Sequence, residues 1–233
     1  MDIRINNFTS FKSKAYPVKP FIIKTKHGRL NISEVTQKDL KREGFIYNLT
    51  KFFCKNFASK TKDPNWRVFK NSRCFKSEQI LNDFAKYYNS KIKHKNDNMT
   101  LLLVKDKRNK IQGACLSYGY DRIPGSKELV CYIDSIAVNP AFRGLKIGRI
   151  LIEKTLESAK NTFTDAFLTG DRSACGFYEK LGFKPLSDSI NGQKEIIDYL
   201  SKRRNDYPKY IEFFTKPLQN SEDRWYNKTK IND

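Results

Sequence analysis

Residues 130–183 read VCYIDSIAVNPAFRGLKIGRILIEKTLESAKNTFTDAFLTGDRSACGFYEKLGF, and the fold is decided here. An apolar run at 130–138 leads into the basic turn Arg143-Gly144-Leu145-Lys146-Ile147-Gly148. A helical stretch over 148–160 follows, with Ile150, Leu151, Thr155 and Leu156 turned inward. A second apolar run at 163–169, a helix over 173–181 stopped by Gly182, and a strand at 183–186 complete the alternation. Strand, helix, strand, helix, strand calls for a mixed α/β sheet. A turn of small residues and cations between a strand and a helix suits a phosphate. It offers unpaired backbone N–H groups at the positive end of the helix dipole. Arg143, Lys146 and Arg149 add charge where a pyrophosphate would lie.

Outward from this centre, 29–35 alternates like a strand and Thr36 offers a cap for a helix running through 40–57. That helix carries Phe45, Ile46, Leu49, Phe52 and Phe53 at the spacing of a buried stripe. A loop is expected over 59–75 and a helix begins after Ser77. The runs 99–104 and 111–118 form a hairpin, 192–204 is a polar helix, and 210–214 is a terminal strand. Pro17 and Pro20 interrupt the polar residues 1–28, which read as a flexible basic arm, and 219–233 reads as a flexible tail. One domain over 29–218 remains, with its centre at 99–186.

Charge is uneven along the 233 residues. Residues 1–98 hold 22 basic against 8 acidic side chains, which accounts for most of the net charge of +20. Such a field favours anionic partners, nucleic acid among them. The five cysteines are Cys54, Cys74, Cys115, Cys131 and Cys175, with no C-x-x-C pair, so neither a disulfide framework nor a metal site is expected. A reducing, cytoplasmic setting follows. The composition of residues 1–28 also resembles the export signals of bacterial effectors. No apolar stretch has the length of a membrane span.

The order Ile133-Asp134-Ser135-Ile136-Ala137-Val138-Asn139-Pro140, then Arg143-Gly144-x-x-x-Gly148, then a helix, then Ser173-Ala174-x-x-Phe177-Tyr178-Glu179-Lys180-Leu181-Gly182-Phe183 resembles the GCN5-related N-acetyltransferase (GNAT) superfamily. The resemblance is specific over 129–184 and covers only the order of elements over 29–119. It departs at Lys146, which stands where the first of two signature glycines belongs. A Cβ there penalises positive φ.

The resemblance implies a single α/β (α+β) domain with a mostly antiparallel sheet of about six to seven strands flanked by helices. It implies an enzyme in which an amine attacks acetyl-CoA directly, with no metal. Ile136, Ala137 and Val138 would run along the pantetheine arm. Residues Arg143, Gly144, Leu145, Lys146, Ile147, Gly148 and Arg149 would hold the pyrophosphate, and Asp171 would touch the cofactor. Tyr178 matches the tyrosine that protonates the leaving thiolate. The base is Asp134, with a water relay as the alternative and Tyr132 at the position some members use. Alternation along 130–138 puts Tyr132, Asp134 and Ile136 on one face and Ile133, Ser135 and Ala137 on the other. Cys175 reads as a small packing residue.

The acceptor is an amine on a small molecule, or a protein lysine or N-terminus. The basic N-terminal half disfavours polycations such as polyamines. The second reading is a catalytically weak member of the fold that binds nucleic acid or an acidic partner through Phe52, Phe53, Phe57, Trp66, Phe69 and Phe75. No motif specifies an oligomeric state.

Overall fold

The computed structural model describes residues 18–40, 42–57, 99–120, 130–171, 174–185 and 211–218. The expected loop over 59–75, the helices after Ser77 and over 192–204, and residues 1–17 and 219–233 lie outside these.

Eight strands form one sheet: β1 (Phe21–Thr25), β2 (Gly28–Glu34), β3 (Thr100–Lys105), β4 (Ile111–Tyr120), β5 (Val130–Val138), β6 (Asp165–Asp171), β7 (Lys184–Pro185) and β8 (Ile211–Pro217). Their order in space is β1-β2-β3-β4-β5-β6-β8-β7. Every pairing is antiparallel except β5 with β6. The strand count exceeds the expected six to seven, and β1 is one reason. It falls inside the supposed arm, where Phe21 and Ile23 turn inward while Ile22 and Lys24 turn outward. Pro20 precedes the strand without breaking it, which is where an edge strand tolerates proline. The backbone N–H of Val18 donates to Glu34 at 2.9 Å and ties the entry to β2.

The helix expected over 40–57 is two helices, α1 (Gln37–Leu40) and α2 (Phe45–Phe57). Thr36 and Asp39 cap α1 reciprocally: the Asp39 N–H donates to Thr36 Oγ1 and the Thr36 N–H to Asp39 Oδ2. Gly44, at φ +70°, separates it from α2.

Two cores flank the sheet. On one face α3 (Ile147–Ala159) packs Ile147, Leu151, Ile152 and Leu156 against Leu102, Val104, Cys115, Cys131 and Ile133. On the other, α2 packs Leu49 and Phe53 against Leu101, Leu103, Ala114, Leu116 and Ala137. A Leu or Phe buried from water stabilises by roughly 1.5–3 kcal/mol, so each helix is fixed mainly by its stripe. The short helix α4 (Cys175–Glu179), five residues long, carries Tyr178 and leads into β7. A 3-10 turn at Pro140–Phe142 follows β5.

Candidate functional site

The site arises where the sheet splits. Strands β5 and β6 are in register only from Val130 opposite Asp165 to Ile133 opposite Leu168. Beyond Ile133, β5 stays with β4 alone, and beyond Leu168, β6 stays with β8 alone. Asp134 sits at the point of parting. Leu116 of β4 faces Ser135 and Ser117 faces Ile133, so Asp134 is the extra residue of a β-bulge, which bends a strand and sharpens its twist.

The bulge corrects the expected alternation. Ile133, Ile136 and Val138 all turn to the α3 face, whereas Ala137 turns to the α2 face. Tyr132 lies opposite Tyr118, with ring centroids 5.3 Å apart, and stacks on Phe167 at 4.6 Å. Ile136 and Tyr132 are therefore on opposite faces, because the inserted residue shifts the period of two by one. The Asp134 carboxylate accepts from Tyr118 Oη at 3.3 Å and from Ser135 Oγ at 2.8 Å.

The split opens a cleft of about 730 Å³ lined by the ends of β5 and β6, the start of α3, and α4. Asn56 of α2 lines it too, so it reaches through the sheet from the α3 face to the α2 face. Along β5, the Asn139 N–H donates to Gln112 of β4 at 2.9 Å. Residues of a strand alternate the side to which their backbone groups point, so those of Ile136 and Val138 face the gap. Arg143 Nε takes the Val138 carbonyl at 3.2 Å, so this guanidinium serves the end of β5 as well as the turn. Burial lowers its pKa from the ordinary guanidinium value.

At the other end of the cleft, Arg143, Gly144, Lys146, Ile147, Gly148 and Arg149 surround the N-terminus of α3. Lys146 caps that helix in the left-handed region, at φ 60° and ψ 11°, without a side-chain capping bond. The first turn of α3 contains no acidic side chain, which leaves its amide donors and cations to an anion. At Gly148 an added Cβ would meet the Phe177 ring at 3.3 Å and Val138 at 3.7 Å, so the cradle depends on the missing side chain. Leu145 instead packs against the core. Asp171 ends β6 opposite Ile211.

Tyr178 forms the wall between these ends. It is 7% exposed and packed among Phe177, Phe183 and Phe214, with ring centroids 5.2, 6.3 and 5.3 Å away. Burial pushes its pKa well above the ordinary tyrosine value, which keeps the phenol protonated near neutrality. Cys175 is half-buried beside it and packs against the core. Cys115 and Cys131 are buried, and desolvation pushes both thiols up to about 12, so neither is a nucleophile.

Sequence reasoning missed Asn56, Thr169, Gly170, Phe177, Lys180 and Leu181 in the lining. Gly170 had a signal, since glycine inside a strand marks a close approach. Asn56 had none. Phe53 is fully buried and so cannot stack a base, and Phe52 is half-buried against the α2 core. Trp66, Phe69 and Phe75 lie outside the described residues. No helix among the described residues is long and apolar enough to cross a membrane.

A model of the Acetyltransferase (GNAT) family matches residues 65–183. Peptidyl-lysine N-acetyltransferase YjaB of Escherichia coli (strain K12) is 33% identical over 67 residues, which are 29% of this chain and 42% of YjaB. The match thus spans less than half of that relative. Among solved structures, PH1933 from Pyrococcus horikoshii OT3 superposes with a TM-score of 0.55 at 16% identity, covering 82% of this chain and 99% of that one. An acetyltransferase of the GNAT family from Desulfovibrio desulfuricans reaches 0.50 at 10% identity with the same coverage. At such identities the likeness is one of fold.

Proposed function

The chain belongs to the acetyltransferase (GNAT) family, and from that premise we propose that it transfers an acetyl group from acetyl-CoA to a primary amine. The observation that carries this reading is the cleft at the parting of β5 and β6, with a cationic helix start at one end and a buried phenol in its wall.

The residues fit the cofactor. The amide donors of Ile147 and Gly148, with Lys146 and Arg149, would hold a pyrophosphate, and an anion in such a position gains about 0.3–2 kcal/mol from the helix end. The Ile136 groups and the Val138 N–H, facing the gap, would hold the amides of the pantetheine arm. When bound, acetyl-CoA supplies the thioester that the amine attacks directly. Tyr178, kept protonated by burial, donates its proton toward the leaving sulfur. Asp134, held by Tyr118 and Ser135 at the bulge, accepts the proton that the amine must lose.

The acceptor would reach Asp134 and Asn56 from the α2 face. The name of YjaB favours a peptidyl lysine, and the basic N-terminal half favours one on an acidic surface, or an anionic small amine. The unit responsible would be one domain over 29–218, to whose sheet β1 adds an edge strand. Free, buried Cys115 and Cys131 suit a reducing cytoplasm.

The test is acetyl-CoA turnover over an amine panel that includes lysine peptides, N-terminal peptides, aminated sugars and polyamines. Acetylation of a monoamine or peptide, greatly slowed in Tyr178→Phe while CoA still binds, is the expected result. Turnover of polyamines alone would overturn the acceptor reading, and no turnover with any amine would overturn the enzyme reading.

A further inference from the structure

Strand β8 lies outside residues 65–183, yet it supplies two side chains to the helix that bears Tyr178. One is Phe214, whose ring packs on that of Tyr178. The other is Lys216. Its Nζ donates to the Leu181 carbonyl at 2.5 Å and stands 5.9 Å from the centroid of the Phe183 ring.

Helix α4 needs such support. It has five residues and begins at Ala174 without a side-chain cap, and a helix of that length has no stability of its own. Its C-terminal end turns back through Gly182, at φ +79°, where an added Cβ would stand 3.2 Å from Lys216 Nζ. The Leu181 N–H donates to the Tyr178 carbonyl at 2.9 Å, and the Phe183 N–H reaches the same carbonyl at 3.1 Å. The ammonium is thus joined to the backbone of Tyr178 through one residue, Leu181. It also lies against the ring that meets Tyr178 edge-on. A cation on the last carbonyls of a helix is favourable in its own right.

We propose that Lys216 is a positioning residue for Tyr178, fixing through the Leu181 carbonyl and the Phe183 ring where the phenol stands in the cleft. It rests on the reading of Tyr178 as the acid. It goes beyond the signature motifs, none of which extends to β8.

The experiment is a double-mutant cycle of Lys216→Met with Tyr178→Phe, with Lys216→Arg and Lys216→Gln as companions. The readouts are kcat and KM for acetyl-CoA together with the unfolding midpoint. Because a misplacement of about 1 Å can cost about a hundredfold, Lys216→Met should lower kcat about tenfold to a hundredfold. KM for acetyl-CoA should hold, and Lys216→Arg should restore most of the rate. In the Tyr178→Phe background, Lys216→Met should change kcat no further. A Met variant with the wild-type kcat, or a loss undiminished in that background, would overturn the proposal. Should the Met variant fail to fold, Lys216→Gln keeps an N–H donor and takes its place in the cycle. A Tyr178→Phe single variant at full rate would instead remove the acid reading itself, so the two failures are told apart.

Discussion

Gly170 of β6 lies directly beneath the ring of Tyr178: a Cβ built on Gly170 would stand 2.7 Å from Tyr178 Cε2 and 3.5 Å from a ring carbon of Phe214. The wall of the cleft is therefore a ring resting on bare backbone. Gly170→Ala should destabilise the fold by about 1–3 kcal/mol, the usual cost of overpacking. It should also lower kcat, because the ring can yield only by moving its hydroxyl. Urea unfolding and turnover measured on the same preparation check both effects.

Alkaline stability should depend on buried protons. The thiols of Cys115 and Cys131 have an ordinary value of 9.0 and are pushed up to about 12 by desolvation, and the Tyr178 phenol is raised in the same direction. A raised folded-state pKa means that the native chain holds protons the unfolded chain gives up. Their contribution is complete below pH 9 and is lost as pH climbs toward about 12. The unfolding free energy should thus fall across that window, and Cys115→Ala with Cys131→Ala should flatten the fall. Native thiol titration should leave Cys115 and Cys131 unreacted until denaturant is added.

Lys146 holds a left-handed conformation that costs a residue with a Cβ about 1–2 kcal/mol. Lys146→Gly should leave stability unchanged or raise it by up to about 1 kcal/mol, since glycine also adds freedom to the unfolded chain. The same change removes an ammonium from the anion end of the cleft, so the Kd for CoA should rise severalfold, and more at low salt than at high. Calorimetric titration at two ionic strengths separates charge from backbone strain. A Kd that does not move would mean that the ammonium makes no contribution.

Asp134→Asn keeps the shape of the bulge and removes the carboxylate. The amine-dependent kcat/KM should drop by about a hundredfold to ten-thousandfold, the usual reach of general base catalysis. KM for acetyl-CoA should hold. Tyr118→Phe, which removes one hydroxyl donor to that carboxylate and leaves that of Ser135, should have a much smaller effect.

The elements that position the anion end could be read locally. The turn after β5, the stripe of α3 and the helix with Tyr178 are adjacent in sequence, and each is signalled within a few residues. The bulge could not be read, because Asp134 is flanked by ordinary strand residues and period-two alternation has no term for an inserted one. The two faces of β5 therefore depart from simple alternation beyond Ile133. Residues 21–25 read as part of an arm because Pro17 and Pro20 stand before them, yet Pro20 immediately precedes the strand and blocks none of its pairing. Asn56 reaches the cleft only through tertiary packing, and the place of β8 between β6 and β7 reflects long-range pairing that no local pattern records.

That placement bears on how the chain is made. Every described residue of the cleft lining lies between Asn56 and Leu181, so a ribosome has delivered all of them well before residues 211–217 emerge. Until then β7 lacks β8, the strand it pairs with among the described residues, and the helix carrying Tyr178 lacks both Phe214 and Lys216. The turn before α3 can close early on the strands before it, whereas the wall bearing Tyr178 is completed only by a segment made later. Synthesis halted short of β8 would therefore release a chain whose turn at 143–148 is complete but whose Tyr178 ring lacks the Phe214 and Lys216 contacts that fix it.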